Sequence, residues 1–497
     1  MTHAYYSRRV LPGIGMVLSL VLGLSGCADF SGIHTQAQMI QPQSLVADRP
    51  QNTHADVFPR QHWWQVFDDA ALDVLITQAI TANPSLKVAQ SRVIEAQASA
   101  AAIDSARYPQ ISGEAKTTRE RLSANSIYPP PLGGSMVTMN SANVTGQWQL
   151  DLFGKNRAAL DAAIGQSRAA EADAQAARVL VAANVAQQYF NLARLQAQQD
   201  LDRAMLRQRE QTQELVRQRV AAGLDTTLVQ RQAQAEVPQI RRDMAALDEQ
   251  VALARHGLAA LMGAEPNATG TLVAHLPTLT IPKVPSHLPA ELLGHRADVV
   301  AARWRVESEL QGIQETRAEF YPNINLSAFI GFESLGLSKW LSAGSRTFGV
   351  GPALSLPIFD EGLLRAKLQG NTARADMAIE NYNAAVLNAL RDVADQLSSW
   401  RALQTQLQEQ MAAQSAVSSA YDLALARYQG GLTNYLNVLT AENAVQQQHR
   451  ILIDLQARVY ELEAGLMRAL GGGYVITDVP RQLSNTTEIR TAPGNQG

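Results

Sequence analysis

The chain has 497 residues, a formal net charge of -3 and 18% charged side chains. This length is enough for about two to four ordinary domains. The near-neutral charge excludes the broad basic surface by which many proteins bind nucleic acid, so no nucleic-acid partner is expected. The single cysteine, Cys27, excludes an internal disulfide.

The first 26 residues are typical of a secretory signal peptide. Two arginines precede the apolar run Val10–Leu24, which is too short to span a bilayer as a helix. The run ends in Leu-Ser-Gly-Cys27, which resembles a bacterial lipobox and implies cleavage before Cys27 and acylation of its sulfur. We therefore predict a signal peptide over residues 1–26 and a lipid-anchored extension over residues 27–70. The alternative is an ordinary signal peptide followed by an incidental cysteine.

The remainder reads as two copies of one unit. We expect the first copy at residues 71–275, the second at 276–475 and an irregular tail at 476–497. Each copy is predicted to contain a helix, two strands, a long helix and a shorter helix. The matching landmarks are Tyr108-Pro109 with Tyr321-Pro322, Leu150-Asp151-Leu152-Phe153 with Leu356-Pro357-Ile358-Phe359, and Gly223-Leu224 with Gly431-Leu432.

Apolar residues alternate with polar or small residues where the strands are expected. The predicted strands cover about 109–120, 143–153, 322–333 and 346–359. A period of two over about ten residues is typical of a transmembrane β-strand. The alternative is a soluble sheet covered by helices.

Four strands are too few to close a sheet in lipid, where an open edge leaves backbone groups without hydrogen bonds. The smallest outer-membrane barrels have about eight strands. Copies of the chain must then share one barrel, with eight strands from a dimer or twelve from a trimer.

Two stretches have almost nothing to stop a helix. Residues 155–222 contain no proline and one glycine, and residues 361–429 contain no proline and two glycines. A helix of the first length would be about 100 Å long, which suggests a protein that crosses a distance. The alternative is a coiled coil or helical scaffold in the cytosol.

Several motifs together identify a family. They are Trp63-Trp64-x-x-Phe67, Asn83-Pro84-x-Leu86, Trp148-x-Leu150-Asp151-Leu152-Phe153-Gly154, Leu356-Pro357-Ile358-Phe359-Asp360 and Arg427-Tyr428-x-x-Gly431-Leu432. With the lipobox, they resemble the outer-membrane efflux lipoproteins of the TolC superfamily, NodT-type branch. The resemblance implies a mainly α fold with a transmembrane β part. In it, tandem long-helix repeats form a trimeric α-helical barrel joined to a 12-stranded β-barrel, with four strands per chain.

The resemblance also implies a function and partners. The homotrimer would lie in the Gram-negative outer membrane and extend into the periplasm as the passive exit duct of a tripartite efflux pump. A periplasmic adaptor would dock on it, and an inner-membrane transporter, commonly of the RND type, would feed it small toxic compounds or drugs. Apart from the lipid on Cys27, no cofactor is expected.

The two Gly-Leu turns are expected at the periplasmic tip. The resemblance implies that Gly223, Leu224, Gly431 and Leu432 contact the adaptor. It also places Leu436, Asn437 and Thr440 at the closed aperture. Relatives often carry aspartates at the positions of Asn437 or Thr440, so here we expect a hydrophobic constriction at Leu436 in place of a carboxylate ring.

No catalytic or metal-binding constellation is found in the sequence, so no enzyme activity is expected. Two other functions remain open at this point. One is the outer-membrane channel of a type I protein secretion system, which needs the same kind of duct. The other is a structural surface lipoprotein with coiled-coil stalks.

Overall fold

The structure is a computed structural model that describes residues 30–41, 59–125, 127–277 and 294–475. Cys27, the predicted signal peptide and the predicted tail lie outside these residues. The helices are α1 (Ala70–Ala82), α2 (Pro84–Ser105), α3 (Lys155–Ala221), α4 (Thr227–Leu261), α5 (Ala297–Ala318), α6 (Leu363–Gln429) and α7 (Tyr435–Ala469). The strands are β1 (Gln110–Arg121), β2 (Met136–Leu150), β3 (Asn323–Leu335) and β4 (Arg346–Ser355). The predicted fold class, mainly helical with four strands per chain, is confirmed.

The four strands form one antiparallel sheet in the order β1-β2-β3-β4. Gln110 pairs with Gln147, Leu150 with Ile324, and Asn323 with Ser355. Among the described residues, β1 and β4 are edges with a neighbour on one side only. Pro352 lies in β4, where an edge strand tolerates the missing N–H group.

Two strands differ from their predicted bounds. β2 begins at Met136 and not near residue 143, because β1 stays paired up to Arg121 opposite Met136. It ends at Leu150, since the Asp151 carboxylate then accepts hydrogen bonds from the backbone N–H groups of Asn156 (3.2 Å) and Arg157 (2.8 Å) and caps α3. β4 ends at Ser355 and not at residue 359, shortly before Pro357, which lacks a backbone donor.

The long helices α3 and α6 each contain 67 residues, or about 100 Å of helix. No helix in the described part of the chain has the length and apolarity needed to cross a membrane.

The described residues divide into two compact units. Of the described residues, the first unit contains 30–39, 93–125, 127–169 and 302–382, and it holds the sheet. The second contains 40–41, 59–92, 170–277, 294–301 and 383–475.

An aromatic cluster forms the core of the second unit. The Phe67 and Phe190 ring centroids are 4.8 Å apart, and the Phe190 ring stacks on Tyr460 at 5.1 Å. The hydroxyl of Tyr189 donates a hydrogen bond to Asp69 at 2.5 Å, while Asp69 also accepts from the first amides of α1. Burial raises the pKa of Tyr189 further above its usual range, so this hydroxyl remains a donor. α1 is thereby fixed to α3.

The internal duplication recurs as matching helix contacts. A Cβ atom on Gly257 of α4 would lie 3.0 Å from the side chain of Gln188 on α3, and one on Gly465 of α7 would lie 2.9 Å from Gln396 on α6. The two glycines are 208 positions apart, since 465 minus 257 is 208, and so are the two glutamines, since 396 minus 188 is also 208. Each hairpin therefore has the same close contact between a glycine of its second helix and a glutamine of its first helix.

In the first unit, α3 approaches α5 closely at Gly165. A Cβ atom there would lie 3.0 Å from Cβ and 3.2 Å from Cα of Ser308. The hydroxyl of Ser308 donates to the carbonyl of Ala162 at 2.8 Å. The helices can approach this closely because residue 165 has no side chain.

We expect Gly165→Ala to lower the free energy of unfolding by about 1–3 kcal/mol, because the methyl group forces two backbones apart. The matched control is Gly312→Ala in α5, where a Cβ atom meets nothing within 4 Å. The control should raise helix stability by up to about 1 kcal/mol. Thermal unfolding followed by circular dichroism measures both variants. An equal gain in the two variants would contradict close packing at Gly165.

Candidate functional site at the two hairpin turns

The α3–α4 and α6–α7 hairpins reverse through turns of the same construction. Gly223 and Gly431 have φ values of +73° and +72°, which glycine adopts without steric cost. The amide of Leu224 donates to the carbonyl of Arg219 at 2.8 Å, and that of Leu432 donates to Arg427 at 2.8 Å. These bonds close each helix C-terminus. Leu224 and Leu432 are 64% and 80% exposed, so both turns present a leucine to solvent.

Each second helix of a hairpin starts with a capped N-terminus. The hydroxyl of Thr226 accepts from the amide of Val229 at 3.4 Å, and the side-chain oxygen of Asn434 accepts from the amide of Asn437 at 3.2 Å. The caps fix where α4 and α7 begin.

The three predicted aperture residues lie in the first two turns of α7. Leu436 is 55% exposed. The side-chain Nδ2 of Asn437 donates to the Thr433 hydroxyl at 2.6 Å, and the Thr440 hydroxyl donates to the carbonyl of Leu436 at 2.8 Å. All three residues are exposed in the single chain. Their role at an aperture stays a prediction.

A partly buried carboxylate, Asp225, links the two hairpins, and the sequence analysis missed it. Asp225 Oδ2 accepts from Arg219 Nε at 2.8 Å and from the Tyr428 hydroxyl at 2.7 Å. The Arg219 guanidinium also lies 4.6 Å from the centre of the Tyr428 ring. Burial, and then the bond to Asp225, raises the pKa of Tyr428, so its hydroxyl stays protonated. The available signal was an aspartate directly after the first Gly-Leu turn, where the second copy has Thr433.

A second buried cluster joins α3, α4 and α7. Arg209 is 6% exposed; its guanidinium bonds Glu236 and donates to Asn443 Oδ1 at 2.7 Å. Glu442 is 1% exposed, its Oε1 lies 3.6 Å from Arg209 Nε, and its oxygens accept no hydrogen bond from the described residues. Burial raises the pKa of Glu442, while Arg209 partly offsets this. One arginine thus serves two carboxylates, which favours a neutral Glu442. No local pattern marks these residues, because they are far apart in the chain.

The described residues contain no group of histidine, cysteine, aspartate or glutamate side chains that could hold a metal ion. The partly buried Asp225 is bound to Arg219 and Tyr428, and the buried Glu442 is enclosed by packing. The polar residues of this region hold the helices together. Its exposed residues include the two leucines at the turns, Leu224 and Leu432.

Comparison with known proteins points to one family. The profile described as outer membrane efflux protein matches residues 75–264 and 288–472. The multidrug resistance outer membrane protein MdtP of Escherichia coli (strain K12) is 31% identical over 482 residues, which are 92% of this chain and 96% of MdtP. The fusaric acid resistance protein FusA of Burkholderia cepacia is 36% identical over 359 residues, covering 71% of this chain and 68% of FusA.

A solved structure has the same fold. The crystal structure of the outer membrane protein VceC from Vibrio cholerae superposes with a TM-score of 0.78 at 36% identity. The match covers 84% of this chain and all of the VceC chain.

We expect Tyr428→Phe to loosen the link between the hairpins, because Asp225 loses a hydrogen bond from a buried donor. The amides of residues 223–226 should then exchange about tenfold faster with deuterated solvent, as one hydrogen bond to a charged acceptor would give. Tyr382→Phe is the matched control, since Tyr382 is a buried tyrosine on the same helix with no hydrogen bond to the described residues. Equal exchange in both variants would show that the Tyr428 bond contributes nothing.

Proposed function

This chain belongs to the outer membrane efflux protein family, and we propose that it is the passive exit duct of a tripartite pump for small toxic compounds or drugs. It is an outer-membrane efflux protein by its family. The observation that carries the proposal is an open four-stranded sheet, apolar on one exposed face, in a chain whose two helical hairpins are each built on a 67-residue helix. The resistance functions named for MdtP and FusA favour small molecules as the cargo over secreted proteins.

The sheet argues for several copies. β1 and β4 each leave one edge of backbone N–H and C=O groups without a strand partner in the described chain. In lipid, each such group costs several kcal/mol. Pairing β4 of one copy with β1 of the next removes both edges. Three copies, the number that the family resemblance implies, give a closed barrel of twelve strands.

The helices give an independent argument for the same ring. α5 of the second copy is packed, with Ala301 0% exposed. In its first-copy counterpart α2 the matching residue Val88, 213 positions earlier, is 51% exposed, and Ile94 is 65% exposed. Because α2 and α5 are duplicates, the missing cover of α2 is explained if a neighbouring chain supplies it. A homotrimeric α-helical barrel satisfies both observations.

The exposed turns support partner binding at the periplasmic tip. Leu224 and Leu432 project from equivalent turns, so one adaptor surface could contact both hairpins in the same way. Leu436 would narrow the aperture, with Asn437 and Thr440 beside it. An inner-membrane transporter, of the RND class by the family resemblance, would supply the energy, because the duct performs no enzymatic step.

The N-terminal extension supports attachment through a lipid on Cys27. Residues 36 and 37 donate their amides to the Asp376 carboxylate on α6 at 2.9 and 3.1 Å. Phe30 packs edge-on against Phe320, which lies just before β3, at 5.9 Å. The segment that follows Cys27 is therefore held near the base of the sheet, where an acyl chain would enter the membrane.

Deletion of the gene tests the proposed cargo. The deletion strain should become more susceptible to toxic small molecules while its set of secreted proteins stays unchanged. Loss of a secreted protein with unchanged susceptibility would favour type I secretion. The purified protein should also conduct ions across a planar bilayer, which a coiled-coil stalk would not do.

We expect Leu436→Asp to raise the conductance of the purified protein, because like charges around the symmetry axis repel one another and hold the aperture open. The matched control is Leu228→Asp. Leu228 is 67% exposed and is the first-copy counterpart of Leu436, since 436 minus 228 is 208. Unchanged conductance in Leu436→Asp, or an equal rise in the control, would contradict the proposed position of Leu436 at the aperture.

A further inference from the structure

The carboxylates of the strands all lie on one face of the sheet, and the opposite face carries only arginines as charged residues. Pairing places Arg119 opposite Thr138, Arg121 opposite Met136 and Arg346 opposite Phe332. By alternation these three arginines share the face that carries the exposed apolar side chains. The other charged strand residues lie on the opposite face: Glu114, Lys116, Glu120 and Glu333. The apolar face of the strands thus carries positive charge and no carboxylate.

The three arginines also share one end of the sheet. Arg121 is the last residue of β1 and Arg346 is the first of β4, so both adjoin the loops that connect strand ends on the side away from the helices. Arg119 lies two residues earlier on the same face, about 7 Å away along the strand. Below them, on the same face, Ile330 and Phe348 are 63% and 80% exposed.

The guanidinium groups are available to a ligand. Arg121 Nε donates to the carbonyl of Gly134 at 3.2 Å, and Arg346 Nε donates to that of Ala343 at 3.1 Å. In the part of the chain that the structure describes, none of the three arginines forms an ion pair with a carboxylate. Arginine is disfavoured on a lipid-facing surface near the bilayer centre but is tolerated at the interface. This requirement places the three residues at the level of the lipid headgroups.

Ring closure brings the three positions together. When β4 of one copy pairs with β1 of the next, Arg346 lies at the same end and on the same face of the seam between chains as Arg119 and Arg121. We propose that each seam binds the phosphate groups of the anionic glycolipid in the outer leaflet, with its acyl chains on the apolar band beneath. This inference rests on the proposed function, since it requires a closed barrel in the outer membrane.

The chemistry favours a lipid as the occupant. A guanidinium binds phosphate with two parallel hydrogen bonds, and arginine clusters at a membrane surface recognise anionic headgroups. A free phosphate ion would satisfy the arginines but would leave the exposed isoleucine and phenylalanine below them without contact. A phosphorylated, acylated ligand satisfies both parts of the surface.

The test uses the acylated full chain in its native oligomer, delipidated in a neutral detergent. Binding is measured by native mass spectrometry with three probes: purified lipid A, the same lipid A after removal of its phosphates, and inorganic phosphate alone. The variant combines Arg119→Gln, Arg121→Gln and Arg346→Gln, and Arg346→Gln alone serves as a milder second variant. The matched control is Lys116→Gln, which removes a positive charge from β1 on the opposite face.

We expect the triple variant to bind lipid A about tenfold or more weakly, in line with the contribution of each basic residue at a membrane surface. Arg346→Gln should weaken it less, and Lys116→Gln should not change it. Wild-type protein should bind dephosphorylated lipid A weakly. The proposal is overturned if the triple variant binds lipid A as the wild type does, if Lys116→Gln loses as much affinity, or if inorganic phosphate competes fully at equal concentration.

Oligomer mass and bilayer conductance are recorded on the same preparations. A wild-type protein that is monomeric or does not conduct would contradict the proposed function, whatever it binds. If the oligomer conducts but its affinity for lipid A is the same with and without the three arginines, the lipid site is contradicted and the proposed function is not.

Discussion

Backbone groups of a sheet in lipid must find hydrogen-bond partners, and the described residues of one chain do not provide them for β1 and β4. The β1 and β4 edges are open within the described residues, and no rearrangement of four strands can close them. The helices are also incomplete, since apolar residues of α2 are exposed whereas those of its duplicate α5 are packed. A neighbouring copy of the chain supplies both the missing strand partners and the missing packing. The isolated chain is therefore better understood as one sector of a ring than as a complete fold.

Because of the internal duplication, each chain contributes two similar helical hairpins, so a small number of chains is enough to form a long tube. The two hairpins share their turn geometry and their glycine–glutamine packing, so they can occupy similar places around an axis. They differ directly after the Gly-Leu turns. Asp225 in the first turn corresponds to Thr433 in the second. At this position only the first hairpin therefore has a carboxylate, and it accepts a hydrogen bond from the Tyr428 hydroxyl.

The features predicted well from sequence are those set by local chemistry. The ends of the long helices follow from glycine and proline positions, and α3 and α6 agree with prediction to within a few residues. The start of β2 at Met136 could not be seen locally, because pairing with β1 extends the strand into polar sequence. The Arg209 cluster was missed for the same reason: its members come from three helices. Contacts between segments that are far apart in the sequence produce no regular spacing of residues from which they could be predicted.

The arrangement of buried charge bears on how the hairpins could part. Asp225 is bound to Arg219 of its own hairpin, and Arg209 is likewise bound to Glu236. Near the turns, the links to the second hairpin are hydrogen bonds with Tyr428 and Asn443 and the approach of Glu442, whose pKa is raised by burial, to within 3.6 Å of Arg209. Removing one partner of a buried ion pair costs about 3–5 kcal/mol, whereas a hydrogen bond to a charged group contributes about 1.5–3 kcal/mol. Asp225 and Glu236 keep their arginine partners inside the first hairpin, so a separation at the turns leaves both carboxylates paired. Farther from the turns, Asp202 of α3 is 1% exposed and pairs with Arg450 of α7 at 2.8 Å, so an ion pair to a buried carboxylate does join the two hairpins there. Near the turns the two hairpins are therefore joined mainly by hydrogen bonds, and farther along α7 by an ion pair.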